Sequence, residues 1–291
     1  MTSQLIANAL LSASLTSVVG IGFLIIFRVG KFFHFAHGAF FAMAPYLMFF
    51  LAHRFTLPNW LSAVMSLGVT IVLGLAVEFL CYQPLRKISN PANAMLLSSL
   101  GVFIVLQSTI ALAFGSESKS LRHAPVAEGL VLLGARVTPV QIVIVSCAIV
   151  CLISVWAFAR FTGSGKQIEA VSSDSDLALT VGVNVEGVYL LAMGLGTALA
   201  AIGGILTAYD VDITPTMGMM PLLYAVVAVI VGGGTVLGTA GGALLIGFIQ
   251  HLGVIWLSSK WQDAIVFVTL LAFLILRPQG VTGRTLRKVT V

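Results

Sequence analysis

Charged residues are scarce in this sequence. Asp, Glu, Lys and Arg make up 9% of the 291 residues, whereas a soluble chain has about 25%. Hydrophobic residues make up 59%, and the mean hydropathy is +1.08. A core of ordinary size cannot bury that much apolar surface, so most of it must face lipid. The composition therefore excludes a soluble globular protein and predicts a polytopic membrane protein surrounded by membrane lipid.

Cysteine and clustered metal ligands are also scarce. Cys81, Cys147 and Cys151 stand in apolar runs, without the paired spacing of a metal site or the even count of a disulfide framework. His34 and His37 are three residues apart and would share one helix face. No Asp, Glu or Cys beside them completes a metal site. We therefore expect no metal centre.

Catalytic motifs are missing as well. The sequence has no G-x-S-x-G, no H-E-x-x-H and no cluster of carboxylates at membrane depth. Residues 163–167, GSGKQ, resemble the end of a phosphate-binding loop, but the pattern GxxxxGK[ST] requires glycine where Arg160 stands and a hydroxyl where Gln167 stands. We predict that the chain is not an enzyme and binds no nucleotide or other cofactor itself. Its net charge of +5 is scattered over short loops and a tail, which fits membrane orientation better than a nucleic-acid partner.

Long apolar stretches, in contrast, are abundant. A membrane-spanning helix needs about 20 mainly apolar residues. The pattern predicts one all-α domain over residues 1–291, a transmembrane helical bundle of about eight or nine spans. The candidate spans are 5–27, 38–52, 59–81, 94–114, 138–159, 187–208, 219–232, 238–257 and 262–276.

Two of these spans are short and interrupted. Stretch 38–52 contains Pro45, and stretch 219–232 contains Pro221 just after Gly218. Such interruptions are tolerated at membrane depth where the backbone is buried in protein or lines a watery path. We expect broken or re-entrant helices at both stretches, with kinked helices in a packed bundle as the alternative.

The positions of the cations predict the orientation. Lys and Arg collect on the cytoplasmic side of short loops. They share one side if the N-terminus is outside and the C-terminus inside, with Asp210 and Asp212 on the other. This arrangement places a loop at about 160–187 and the tail 277–291 in the cytoplasm. The cations concerned are Arg28, Lys31, Arg86, Lys87, Arg160, Lys166, Arg277, Arg284, Arg287 and Lys288.

Polar residues at membrane depth are few. Glu78 precedes Arg86 by eight residues, which favours a structural ion pair near the inner face over a role with substrate. Gln107, Gln250 and His251 could bond across helices or line a pathway. So little intramembrane charge suits a path for neutral or zwitterionic solutes better than a proton relay.

A glycine tract near the C-terminal third predicts close helix packing. Small residues let helix backbones approach each other inside a membrane, where the hydrophobic effect does not drive helices together. The glycines expected to pack in this way are Gly232, Gly233, Gly234, Gly238 and Gly242.

The loop at 160–187 contains the signal of a short amphipathic helix. Ser173 or Asp174 could cap it, with Asp176 in its first turn, and Gly182 would end it. Its apolar positions are Leu177, Ala178 and Val181. A solvated surface turn is the alternative, whereas a helix would suit a groove on a partner protein.

Several segments match one transporter family in order along nearly the whole chain. The most specific are FAHG within FFHFAHGAFFAMAPY (32–46) and the terminal RPQGVTG. Others are EFLCYQPLRK (78–87) followed by LLSSLGVFIVLQ, ALTVGVN (178–184) followed by LGTALAAIGGIL, GGGTVLGTAGGALLIG (232–247) and WQDAIVFVTLLAFLILRPQGVTGR (261–284). The chain thus resembles the LivH-like permeases of branched-chain amino-acid ABC importers, a binding-protein-dependent inner-membrane family.

The resemblance implies a pathway-forming subunit of an ATP-driven importer in the bacterial inner membrane. Its implied partners are a second, LivM-like permease subunit in a heterodimer, two ATPase subunits that use ATP and Mg, and a periplasmic solute-binding protein. The implied cargo is a branched-chain amino acid or a related small polar solute such as urea, an amide or an aromatic acid. A self-sufficient secondary transporter or channel is the alternative, suggested by the broken spans and the membrane histidines.

The resemblance also implies roles for particular residues. We expect His37, Gly38 and Gln107 to lie on the substrate pathway, where broken helix ends could face a solute. Three positions depart from the family pattern, namely Ala39 after FAHG, Glu169 in the loop and Leu237 in the glycine tract. The residues expected to couple the chain to an ATPase are Glu169, Ala170, Asp174, Asp176, Leu177, Ala178, Val181 and Gly182.

Overall fold

The computed structural model describes residues 2–88, 90–121, 129–132, 134–277 and 279–282. A π-helical turn, Glu78–Tyr82, joins the helix Asn59–Val77 to the helix Gln83–Leu85, and a 3₁₀ turn, Ser259–Trp261, leads into the helix Gln262–Leu276. One antiparallel hairpin pairs β1 (Leu130–Leu132) with β2 (Ala135–Val137). The helices are α1 Thr2–Gly30, α2 Ala36–Arg54, α3 Asn59–Val77, α4 Gln83–Leu85, α5 Pro91–Phe114, α6 Pro139–Phe161, α7 Gly163–Ser173, α8 Ser175–Thr180, α9 Val185–Asp210, α10 Met219–Gly232, α11 Val236–Gly253 and α12 Gln262–Leu276.

Eight helical segments in the described ranges are long and apolar enough to cross a membrane. They are α1, α2, the continuous stretch Asn59–Leu85, α5, α6, α9, α11 and Ser259–Leu276. The remaining predicted span, 219–232, corresponds to α10, which has 14 residues. At 1.5 Å per residue it is about 21 Å long, shorter than the roughly 30 Å of a bilayer core. The all-α polytopic bundle is confirmed.

Helix α2 corrects one prediction. It runs without a break from Ala36 to Arg54 with Pro45 inside it, so the broken helix predicted for 38–52 is wrong. Pro45 has no N–H to bond the Phe41 carbonyl, a loss that usually kinks or ends a helix. Here the Phe41 carbonyl oxygen lies against Gly204 of α9, so closely that a Cβ on Gly204 would overlap it. Helix α9 thus covers the carbonyl that Pro45 leaves unbonded, and α2 continues past Pro45.

Helices α1, α2 and α9 form the centre of the bundle. Over an 18-residue apolar stretch of each, 72%, 67% and 61% of the residues are buried, against 11% for α6 and 6% for the α12 segment. Small residues bring these helices together, as expected where close packing drives association in lipid. Gly22 of α1 meets Gly196 of α9, and Gly203 lies against Val19. Around this centre, Asn59–Leu85, α5, α6 and the α12 segment leave most of their residues exposed on the outside of the bundle.

Replacing Gly204 with alanine is expected to destabilise the bundle by about 2 kcal/mol, because the new methyl group must displace the backbone of α2. Thermal unfolding of the purified protein in detergent measures the effect. The control is Gly101→Ala in α5, where nothing lies within 4 Å of the added Cβ. There alanine is expected to be neutral or slightly stabilising, since glycine disfavours helix. Equal effects of the two changes would contradict the packing argument.

The C-terminal glycine tract divides into two roles. Gly232 and Gly238 face each other, and Gly242 lies against Ala228, so these glycines pack α10 on α11. Gly233 and Gly234 lie between the two helices and not within them, as the prediction of helix packing would require. With φ of 82° and 71° they form the left-handed turn between the two helices, a conformation that glycine adopts without strain.

The two ends of the bundle differ in structure. At the end that carries α7 and α8, called here the α7–α8 end, Arg28 and Lys31 both bond to Ser172. At the opposite end the 115–121 segment pairs with Ile213, and Gln141 bonds to Asp210. Of the predicted tail 277–291, only Arg277 and residues 279–282 are described.

Candidate functional site

The connection between α1 and α2, residues 31–35, is fixed from two sides. The Ser99 hydroxyl donates to the Phe33 carbonyl at 3.0 Å and accepts from the Phe35 N–H at 3.2 Å. His34 is fully buried, and its Nδ1 lies 3.2 Å from the Tyr82 hydroxyl. The connection is therefore held by α5 and by the π-helical turn.

His34 and His37 form a buried polar pair. Their ring centroids are 6.2 Å apart, and His37 Nε2 lies 3.1 Å from the Val19 carbonyl. Burial lowers the pKa of His34 well below its usual range, and the neighbouring His37 lowers it further. His34 is therefore neutral at physiological pH. His34 Nε2 and His37 Nδ1 have no hydrogen-bond partner among the described residues.

The three predicted pathway residues do not share one surface. His37 has no exposed area, and Gly38 is also buried. The backbone of Gly38 lies against Gly218, just before α10, so closely that a Cβ on either glycine would meet the other carbonyl. Gln107 is half-buried on α5, eight residues beyond Ser99, or about 12 Å along the helix. The structure brings His37 and Gly38 together in the interior and places Gln107 elsewhere.

An ion-pair cluster joins the π-helical turn to α9. Arg86 bonds to Glu78 and lies 3.2 Å from Glu186, with its guanidinium 3.6 Å from the centre of the Tyr189 ring. The Glu78 side chain is 5% exposed and that of Glu186 is 51% exposed. The structural ion pair predicted from the sequence is present, and Glu186 and Tyr189 extend it.

The GSGKQ string turns the chain from α6 into α7. The Thr162 hydroxyl caps α7 by accepting from the Gly165 N–H at 3.0 Å. Gly165 packs on the end of α6, and a Cβ there would overlap the Phe158 carbonyl. The second glycine of this string therefore serves a tight helix corner.

Helix α8 follows directly from α7. Of the two caps predicted, the structure uses Asp174, whose Oδ1 accepts from the backbone N–H groups of Asp176 and Leu177 at 3.0 Å each. Gly182, with φ of 87°, lies beyond the end of the helix. The six-residue helix Ser175–Thr180 thus lies between a polar cap and a glycine stop.

The α7–α8 unit has an inner and an outer face. Ile168, Val171 and Ala178 are buried in a cluster with side chains of α1, α6 and α9. Leu177, Leu179 and Val181 point outward and are 62%, 63% and 72% exposed. We call these three the α8 apolar face. Four acidic residues in or just after this unit are also exposed, namely Glu169, Asp174, Asp176 and Glu186.

This arrangement differs from the predicted amphipathic helix. Ala178 faces the bundle, whereas Leu177 and Val181, four residues apart, share the outer side. Ala170 is half-buried.

Comparison with known proteins places the chain in a family. Residues 5–274 match the family described as branched-chain amino acid transport system / permease component. The chain belongs to this permease family. It is 26% identical to the high-affinity branched-chain amino acid transport system permease protein LivH of Escherichia coli K12, covering 97% of this chain and 95% of LivH. It is 25% identical to the corresponding permease protein BraD of Pseudomonas aeruginosa, with the same coverage.

The permease also shares its fold with a solved structure. The PsaBC structure from Streptococcus pneumoniae, determined in complex with a Fab, matches with a TM-score of 0.50 and 15% identity, over 94% of this chain and 91% of that one. The family membership confirms the LivH-like resemblance. It also makes the chain a permease subunit, a class of protein that is not an enzyme.

Three features of the permease site escaped the sequence analysis. The sequence predicts a loop where the structure has helix α7, although Thr162, three residues before Gly165, is a capping signal. Leu179 does not follow the three- and four-residue spacing that predicts the apolar positions of this helix. The bonds of Ser99 and Tyr82 to the α1–α2 connection have no local signal, since they join residues 48 to 66 positions apart.

Proposed function

We propose that this permease forms half of the translocation pathway of an ATP-driven importer and pairs with a second, LivM-like permease subunit. Two ATPase subunits would bind and hydrolyse ATP with Mg, while this chain would bind no cofactor. A periplasmic binding protein would deliver the cargo, a branched-chain amino acid or a related small polar solute. The observation that carries the proposal is the α8 apolar face, three exposed side chains on a unit whose inner face is anchored in the bundle.

The anchoring makes the α7–α8 unit suitable for transmitting force. Ile168 and Val171 pack on α1, α6 and α9, and α1 and α9 are two of the three central helices. Arg28 and Lys31, at the end of α1, both bond to Ser172. A partner that displaces α8 would therefore move the centre of the bundle. Such a surface suits a groove on an ATPase subunit, which would cover the α8 apolar face.

We place the N-terminus outside and the C-terminus inside, with the α7–α8 end in the cytoplasm of a bacterial cell and the bundle in its inner membrane. Arg28, Lys31, Arg86 and Arg160 lie near or lead into the α7–α8 end, as cytoplasmic cations should. Asp210 lies at the other end.

The pathway surface that we propose includes Gln107. Its neighbours Ser108 and Thr109 are exposed on α5, so polar groups reach the outside of the subunit there. A second permease subunit facing this surface would enclose them. His37 and Gly38, being buried, would act on the pathway through the contact of α2 with Gly218.

Reconstitution into liposomes tests the proposal. Vesicles containing the permease, its partner permease subunit and the ATPase subunits are expected to concentrate radiolabelled leucine when the loaded binding protein is outside and ATP inside. Vesicles with this chain alone are expected to accumulate none, with or without an ion gradient. Uphill uptake by the chain alone, driven by an ion gradient, would instead establish the self-sufficient transporter.

A further inference from the structure

A pocket of about 300 Å³ opens at the α7–α8 end of the bundle. Its walls come from the last turns of α1 and α6, from α7 and from the start of α11. Leu24, Trp156 and Val236 give it an apolar side, and Arg28, Arg160 and Glu169 give it a charged rim. The pocket therefore combines the two chemistries of an amphiphile.

The charges of the rim favour an anion. Arg28 and Arg160 stand in the last turns of α1 and α6 and form no salt bridge with any described residue. Arg28 donates to the Ser172 hydroxyl at 3.2 Å, which leaves the rest of its guanidinium available. Glu169 is the one acidic residue in the lining, so the rim carries a net charge of +1 from two arginines and one carboxylate. A singly charged anion would neutralise it.

The position of the pocket favours a lipid over a soluble anion. It lies where two membrane-spanning helices end, and Trp156, 39% exposed, is the kind of residue that marks a membrane interface. Basic pockets between helices at this depth are suited to anionic headgroups. A soluble phosphate would leave the apolar side unfilled, whereas acyl chains would cover it.

We propose that this pocket binds one anionic phospholipid with a single phosphodiester charge. Its phosphate contacts Arg28 and Arg160, and its acyl chains run along Trp156 and the apolar side. Glu169 disfavours ligands of higher negative charge by repulsion. The lipid would join the ends of α1 and α6 to α7. The pocket shares Glu169 with the residues expected to couple the chain to an ATPase, but it contains none of the α8 apolar face and does not depend on the proposed function.

Trp156 supplies a direct measurement. The full chain carrying Trp60→Phe, Trp256→Phe and Trp261→Phe keeps one tryptophan and is reconstituted with mixtures of dioleoyl phosphatidylcholine and phosphatidylglycerol. Bromination of the acyl chains of one lipid at a time shows, by quenching, which lipid occupies the pocket. Fluorescence from co-purified subunits is subtracted with a matched chain that also carries Trp156→Phe. Preferential quenching by the brominated phosphatidylglycerol is expected.

Charge variants then locate the headgroup. Arg160→Gln is expected to reduce the preference for phosphatidylglycerol about fivefold, and Arg28→Gln with Arg160→Gln roughly 25-fold. Glu169→Gln is expected to raise the preference, because it removes the repelling charge. Lys87→Gln, a cation outside the pocket lining, is the control and should leave the preference unchanged. Unchanged thermal unfolding shows that each variant is folded.

Three results would overturn the proposal. Equal quenching by the two brominated lipids would show that the headgroup is not selected. Loss of the preference on adding soluble glycerol phosphate would assign the pocket to a soluble anion. Failure of both brominated lipids to quench Trp156 would mean that protein, rather than lipid, covers the pocket.

Discussion

Replacing both Leu177 and Val181 with aspartate is expected to abolish ATP-driven uptake and to reduce co-purification of the ATPase subunits at least about 100-fold. The two side chains are 62% and 72% exposed in the subunit. They contribute little to its own folding, and surface changes of this kind usually alter the free energy of unfolding by less than about 0.5 kcal/mol. In an interface with an ATPase, however, each change would remove apolar contact and introduce a buried charge. Affinity purification through a tag on the permease measures the retained ATPase.

Ile88→Asp is the matched control for this pair. Ile88 is also apolar and 50% exposed, and it follows α4, outside the α7–α8 unit. The control is expected to retain the ATPase subunits and the transport activity. Normal ATPase retention in the Leu177→Asp, Val181→Asp variant would contradict the coupling role of the α8 apolar face. Loss of retention in both variants would show that any added charge at this end disrupts assembly.

The second large effect is expected for Arg86→Gln, which should lower the free energy of unfolding by about 3 kcal/mol. The change leaves the Glu78 carboxylate, 5% exposed, without its cation. Glu186 is 51% exposed, so water can replace the interaction that it loses. We expect a fall of roughly 5 °C or more in Tm, measured by thermal unfolding in detergent.

A double variant separates charge from shape in this cluster. Glu78→Gln combined with Arg86→Gln removes both buried charges and is expected to be more stable than Arg86→Gln alone. Glu186→Gln should cost less than about 1 kcal/mol, because its pair with Arg86 is exposed to water. If the double variant is no more stable than the single one, packing of the Arg86 side chain on Tyr189 would be the dominant contribution instead.

Eight of the nine predicted spans correspond to helices long enough to cross a membrane, and they were predictable because the requirement that creates them is local. Backbone groups at membrane depth bond mainly within their own helix, so a run of apolar residues is sufficient to indicate one. The cap at Asp174 and the stop at Gly182 were predictable for a similar reason, since each acts within a few residues. The salt bridge of Glu78 with Arg86 also joins positions close in sequence.

The errors arose where distant residues decide the outcome. Pro45 signals a break in α2, but Gly204, more than 150 positions away, covers the carbonyl that it releases. The turn of Ala178 toward the bundle depends on the buried cluster that it joins with side chains of α1, α6 and α9, which no pattern within the loop reveals. His37 and Gly38 attract attention as polar and flexible residues, and only the packing of α2 shows that they are interior.

The backbone contacts among the central helices limit how this protein can move. Where Gly22 meets Gly196, and Phe41 meets Gly204, no side chains separate the two main chains. Such surfaces cannot slide past one another in small steps, because any shift drives a carbonyl into its neighbour. We therefore expect α1, α2 and α9 to move together as one unit, with bending confined to its borders.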